Sequence, residues 1–391
     1  MTNQKVILCF IEYYSPGYKS GGPVRSIENL VNLLPDEFKI QIVCRDRDIS
    51  DKKSYSNIKT DTWNEFGKTK IFYASQKTLS LHGVRTLLQK TNYDILYLNS
   101  FFCYGFTILP LLVRWLSLVK EKPCIIAVRG ELAPEALKLK AFKKLIYLFF
   151  ANAFGFYNKL HWQASSKNEK RDILRHKIIR AGKILVAPDL LQLKILKNLD
   201  KNNLLLSSSI LRIVFISRIS PIKNLDFLLR SLSLLTSRIV FDIYGPIENE
   251  TYWMYCKELI SKLPDNIEVK ICGSVMPNKV QDMFSKYDLF AFPTKGENFG
   301  HVIFEALSVG TPVIVSDKTP WRSNLNGSLL TLPLDLNMWC QAIEDRTHFS
   351  NLKLSDLRLD ALSFAAAYVE NDQSLKKNLS LFMSAFEMGM K

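Results

Sequence analysis

An α/β architecture of two parallel-sheet domains is what the sequence predicts, on three observations. Short uninterrupted apolar runs alternate with helix-length segments throughout the chain. That rhythm pauses once, over a polar stretch rich in Leu, Asn and Ser. At 391 residues, with 47% hydrophobic and 23% charged residues, the chain is also too long for one ordinary core and too apolar for disorder. Strands that are apolar throughout, and separated by helices, belong to parallel sheets covered on both faces. Two such series imply two Rossmann-like domains. Ligands of these sheets bind beyond the carboxyl ends of the strands, so a cleft between the domains is the expected active site.

The elements follow in order. First-domain strands are expected at Val6–Ile11, Ile40–Cys44, Lys70–Tyr73, Ile95–Asn99, Cys124–Val128, Leu160–Ala164 and Ile184–Ala187. This domain spans 1–190, followed by a linker at 191–209. A second domain, 210–360, restarts the series with Ile213–Ile216, Val240–Tyr244, Ile267–Ile271, Leu289–Phe292, Pro312–Ser316 and Leu329–Leu332. Residues 361–391 carry apolar positions at helical spacing and are expected to form a helix packing back on the first domain.

Charge is distributed unevenly. Of the net +15, residues 1–190 carry +14 (30 basic, 16 acidic) and residues 191–391 only +1 (22 and 21). A one-sided basic surface favours a polyanion, nucleic acid or an anionic membrane face. No apolar run reaches the roughly 18–20 residues that cross a bilayer: Ile108–Val119 is broken by Arg114, and Leu145–Phe156 is too short. The start runs directly into a strand, so a cytoplasmic location is expected. Seven cysteines without CxxC spacing, four of them (Cys9, Cys44, Cys124, Cys272) within strand-like runs, read as buried thiols.

The strongest chemical signal is PTKGENFGHVIFEALSVGTP, residues 293–312. It follows a strand, opens as a Gly-containing loop and continues as a helix. Glu297 and Glu305 would lie roughly 12 Å apart along the axis if the whole span were helical. That resembles the separation of the two sugar rings of a nucleotide-sugar, with the backbone amides of Gly300 and His301 facing the diphosphate between them. A second motif, FISRISPIKNL from Phe215, places Arg218 and Lys223 five apart on a loop entering a helix, able to converge on one diphosphate. Further glycine turns stand at Tyr244-Gly-Pro, Cys272-Gly273-Ser and Ser20-Gly21-Gly22-Pro. Asp46-Arg-Asp48 is a literal Asp-x-Asp, but it sits in a polar stretch with no convergent ligands and reads as a solvated loop. No histidine has ligand spacing and His161 reads as structural, so no metal is expected.

The segment 293–312 resembles the retaining glycosyltransferases of family four, which have the GT-B architecture: two Rossmann-like domains facing across a cleft. The paired glutamates, the intervening glycine and the Gly-Thr-Pro ending carry the resemblance, and Arg218 and Lys223 stand at matching positions. It implies catalytic roles for Glu297, Arg218 and Lys223, with Glu297 on the donor sugar and the two cations on the diphosphate. It further implies donor binding by Glu305 (on the ribose), Gly300, His301, Asn298, Phe299, Gly273 and Gly22. Gly21, Arg129 and Glu131 fall on the acceptor side. Many relatives carry a histidine where Arg129 stands, so the first-domain contact with the reacting sugar is left open; an acceptor-phosphate contact, an acceptor-side base at Glu131, or a structural ion pair all fit. The nucleotide-sugar is a substrate, so no cofactor is implied.

Between Leu137 and Lys183 lie 12 basic and 2 acidic residues. The first part, LKLKAFKKLIYLFF, is expected as an amphipathic helix whose Lys140, Lys143 and Lys144 share a sector of about 100°. Such a helix either lies with its lysines against anionic lipid or buries its apolar face in the domain core. Together these readings give a sugar transferase acting on a lipid-linked saccharide or other surface-polysaccharide acceptor, peripheral on the inner face of the cell membrane. The alternative is a catalytically inactive membrane adaptor on the same fold. No nucleic-acid recognition module is visible, and an NAD-dependent oxidoreductase would need a GxGxxG turn that is absent.

Overall fold

The computed structural model describes residues 4–49, 51–138, 141–176, 183–191 and 210–389. Contacts divide the chain into two units: Met1–Gln192 together with Gln373–Lys391, and Leu193–Asp372. All of the expected linker except Leu191 lies outside the described residues.

The first unit is built on an eight-stranded sheet. Its strands are β1 (Lys5–Phe10), β2 (Phe38–Arg45), β3 (Trp63–Phe66), β4 (Thr69–Ala74), β5 (Ile95–Leu98), β6 (Cys124–Ala127), β7 (His161–Ala164) and β8 (Ile184–Val186), in the order β3-β4-β2-β1-β5-β6-β7-β8. All pair in parallel except β3, which runs antiparallel to β4. β1 shows why apolar runs, not alternation, mark these strands. Leu8 and Phe10 point into one core and Ile7 and Cys9 into the other, and all four are fully buried.

Two expectations need correction here. β3 falls at the end of a stretch read as polar loop; it is a short edge strand with two exposed residues, pinned to β4 by the Lys70–Glu65 ion pair. The expected helix at 361–391 is two helices, Asn351–Glu370 and Ser374–Gly389. Only the second belongs to the first unit. There Leu381, Phe382 and Ala385 are fully buried, the Phe382 ring stands edge-on to Tyr97, and Asn378 donates to the Pro188 carbonyl at 2.7 Å.

The second unit has a six-stranded, wholly parallel sheet. Its strands are β9 (Leu211–Ile216), β10 (Ile239–Tyr244), β11 (Ile267–Gly273), β12 (Leu289–Phe292), β13 (Val313–Ser316) and β14 (Leu329–Leu332), in the order β11-β10-β9-β12-β13-β14. Strand order reverses at β9, which lies between β10 and β12. The loops leaving β9 and β12 therefore splay at a topological switch point, where sheets of this kind bind ligands. Cys9, Cys44 and Cys124 are buried as expected, but Cys272 is exposed because it closes the edge strand β11.

Candidate functional site

The two loops at the switch point of the second unit are tied to each other. Lys295 N–H donates to the Ile222 carbonyl at 2.7 Å, Thr294 Oγ1 to the same carbonyl at 3.1 Å, and Asn224 Nδ2 to the Pro293 carbonyl at 2.9 Å. Asn224 adopts a left-handed backbone, φ 61°, as it enters the helix Leu225–Leu232, a conformation its short polar side chain tolerates. This arrangement brings Lys223 Nζ to 2.6 Å from Glu297 Oε2. The lysine is 9% exposed, and its ammonium lies 5.3 Å from the centre of the Phe292 ring. Sequence separation of 74 residues thus collapses into one charge-assisted hydrogen bond at the carboxyl ends of adjacent strands.

Arg218 does not share that partner. Its guanidinium pairs with Glu248 at 2.6 Å. The Gly245-Pro246 turn explains the difference. It runs against the exit of β9, where Ile219 N–H bonds the Pro246 carbonyl and Ile219 bridges Ile247, which delivers Glu248 to Arg218. Gly245 has φ 142°, and a Cβ there would sit 1.7 Å from the Ser217 carbonyl oxygen. Only glycine fits this approach. Gly273, at the end of β11, accepts from Gly245 N–H at 2.8 Å.

The two glutamates are not on one helix. The helix is His301–Leu307, preceded by Gly300 at φ 80°. Glu305 is on it, half-buried; Glu297 precedes it, its N–H bonded to the Lys318 carbonyl. The expected 12 Å helical spacing therefore does not apply. Phe299 also departs from expectation. It is 8% exposed, packs on Trp321, and accepts the Trp321 indole N–H at its carbonyl, so it supports the loop from beneath. His301 lies against the Phe299 ring at 5.0 Å, and Asn298 is half-buried. Glu248 was not singled out in the sequence, where the one available hint was that a Gly-Pro turn precedes it; Thr294 lay within the quoted 293–312 motif without a role of its own.

In the first unit, Gly21 (φ 68°) and Gly22 open the helix Gly22–Leu33 at an exposed point, with nothing within 4 Å of a Cβ at either. Asp46 and Asp48 are buried, not solvated as expected. Asp48 accepts the N–H groups of Tyr18, Lys19 and Ile49, and so shapes the approach to Gly21. Among the described residues no group of three His, Cys, Asp or Glu is placed to hold a metal ion.

Arg129 has a left-handed backbone, φ 52°. Its side chain points inward, pairing with Asp189 and donating to Asn99 Oδ1 at 2.7 Å and Tyr97 Oη at 3.0 Å. In this structure the guanidinium is committed to that ion pair and its neighbouring hydrogen bonds. Glu131 accepts Phe102 N–H at 2.8 Å, and burial raises its pKa above the ordinary carboxylate range despite that bond. At the carboxyl ends of β1 and β2, Glu12 pairs with Arg45 at 2.8 Å, a pair the sequence did not reveal.

Comparison with known proteins falls on the same elements. Residues 197–327 match the model of the family Glycosyl transferases group 1. Across the whole chain, the structure superposes on sucrose-phosphate synthase from Thermosynechococcus elongatus with a TM-score of 0.72, at 16% identity, covering 98% of this chain and 100% of the other. It superposes on Anabaena HepE, solved with UDP and glucose, with a TM-score of 0.66, at 17% identity, over 97% and 99%. The fold is GT-B. In sequence, the chain is 31% identical over 112 residues to a D-inositol 3-phosphate glycosyltransferase of Rhodococcus erythropolis, covering 27% of this chain and 25% of that relative. It is 26% identical over 164 residues to the GtfA subunit of a UDP-N-acetylglucosamine–peptide N-acetylglucosaminyltransferase of Streptococcus parasanguinis, covering 39% and 31%. The matched stretches thus span about a third or less of these curated relatives, and the family-model match, residues 197–327, lies within the second unit.

Proposed function

We propose that this protein is a retaining glycosyltransferase that moves a sugar from a nucleotide-sugar to a lipid-linked saccharide or other surface-polysaccharide acceptor at the cytoplasmic membrane face. The Lys223–Glu297 pair at the switch point, inside the stretch matched by the family, carries this reading. Among the described residues no helix is long and apolar enough to cross a membrane, which suits a peripheral enzyme.

In this reading Glu297 accepts hydrogen bonds from the donor sugar's hydroxyls, and Glu305 those of the ribose. Lys223, held rigid by its loop, offers its remaining N–H bonds to the diphosphate, and Arg218 adds a second cation once it leaves Glu248. The bond from the anomeric carbon to the diphosphate oxygen breaks, and a bond to the acceptor hydroxyl oxygen forms on the same face. The hydroxyl's proton passes to the departing diphosphate, so no enzymic nucleophile is consumed. Charge grows on the leaving diphosphate, where placed cations contribute most. Gly273 lines the donor side, as do the backbones of Gly300 and His301; Gly21 and Gly22 border the donor phosphate and acceptor from the first unit.

A panel of nucleotide-sugars scored by shift in melting temperature identifies the donor, since a ligand at about 100 times its Kd adds about 2.7 kcal/mol. With that donor, Lys223→Ala and Glu297→Gln are expected to reduce turnover at least about a hundredfold, as loss of one charge-stabilising contact does, with both variants still folded by circular dichroism. Near-normal turnover in both variants would remove the pair from the mechanism.

A further inference from the structure

Of the three lysines expected to form one face of this helix, Ala141–Ala153, Lys140 lies outside the described residues and Lys143 alone of the other two is exposed. Lys144 turns inward: Nζ donates to the Ala136 carbonyl at 2.7 Å and lies 4.9 Å from the centre of the Phe102 ring. Leu148 and Ala151 fill the buried side, with Tyr147 bonded to the Tyr157 hydroxyl. What faces outward is apolar. Phe142, Leu145, Ile146, Phe149 and Phe150 are all exposed, Phe142 by 77% and Phe149 by 69%. At 100° per residue these five occupy a sector of about 140°, with Lys143 at its margin. The stripe continues off the helix as an array of touching rings: Phe149 on Phe150, Phe150 stacked on Phe154, and Phe154 against Trp115, whose indole N–H bonds the Phe154 carbonyl.

A helix apolar all round is ordinarily covered on all sides, and a contiguous aromatic surface of this kind marks an interaction site. Charge selects the occupant. Lys143, exposed, adjoins the stripe on the helix. The surrounding sequence 137–183 is +10, in a half of the chain that is +14. Two such surfaces would repel each other, whereas an anionic bilayer attracts the rim and dissolves the rings.

We infer that the exposed face of this helix, with Phe154 and Trp115, inserts among the acyl chains of an anionic bilayer, while Lys143 at its edge engages the headgroups. The inference deepens the membrane part of the proposed function and does not depend on the sugar chemistry. Hydrophobic insertion, not lysine attraction alone, then holds the enzyme on the surface.

Flotation of the full-length protein with vesicles of phosphatidylcholine containing about a third phosphatidylglycerol tests this, in low and high salt. Wild type is expected to float, and to keep part of its binding in high salt. Phe149→Ser with Phe150→Ser is expected to weaken partitioning about a hundredfold, since two exposed rings lose their burial in lipid. Because both rings are solvent-exposed, the melting temperature should hold; Phe142→Ser with Leu145→Ser is the substitute pair if it does not. Lys143→Ser is expected to remove only salt-sensitive binding. Unchanged flotation of the ring variants would overturn the inference. So would a lipid-free, concentration-dependent dimer that the ring variants dissociate, because a second copy would then cover the face. Nucleotide-sugar binding, followed in parallel, is expected to persist in the ring variants; its absence from every protein would count against the transferase reading alone.

Discussion

Arg129 illustrates how one side chain is committed by its surroundings. Its backbone sits in the left-handed region that a non-glycine residue rarely adopts, and its guanidinium reaches Asp189 on one segment and Tyr97 and Asn99 at the end of β5 on another. The Asp189 carboxylate is 10% exposed. Removing its partner leaves a buried charge uncompensated, so Arg129→Met is expected to destabilise the first unit by about 3–5 kcal/mol. Urea unfolding measures it, and Arg129→Met with Asp189→Asn should recover much of the loss. The sequence exposed the position as unusual but not its direction, because whether an arginine after a strand faces inward or outward depends on an aspartate 60 residues away. Lys223 was the opposite case: its motif announced a functional lysine, while the glutamate that meets it came from a separate motif.

Elements were legible where both sheet faces are covered. Every apolar run of four or more residues assigned to a parallel strand overlaps an observed one, and in β5, β6, β12 and β13 burial of every residue leaves no polar alternation to obscure it. β3 escaped because an edge strand of four residues, half of them exposed, carries almost no pattern. The outward direction of the apolar residues on the helix Ala141–Ala153 was not legible for a related reason: apolar residues at helical spacing look the same in sequence whichever way they face. The helix Leu336–Thr347 offers a cleaner test of what one contact contributes. Glu344 on it accepts from Ser237 N–H at 3.1 Å and Thr236 Oγ1 at 2.8 Å. Burial alone would raise its pKa, but the bonds from Ser237 and Thr236 outweigh burial and leave it lowered. A carboxylate depressed in the folded state adds stability at neutral pH and loses it as pH falls through the folded value. Glu344→Gln is therefore expected to lower the melting temperature at pH 7, with the deficit narrowing below about pH 4.

At the scale of the whole molecule, electrostatics and connectivity are both asymmetric. The basic excess is confined to one half of the chain, and the unit that holds it is completed by residues from the far end. Phe382 is fully buried in that unit's core, between Phe38 and Tyr97. Phe382→Ala is expected to cost about 3–5 kcal/mol, read as an earlier unfolding transition of the first unit with the second unchanged. The helix Ser374–Gly389 also has a consequence for how the protein is made. Chains emerge from the ribosome amino end first and domains fold as units. Here the second unit, 193–372, is fully synthesised while the first still lacks the helix that covers Ile7, Cys9 and Tyr97. The unit that begins synthesis first is thus the last to close, and until residues 374–389 arrive one face of its sheet has only part of its cover.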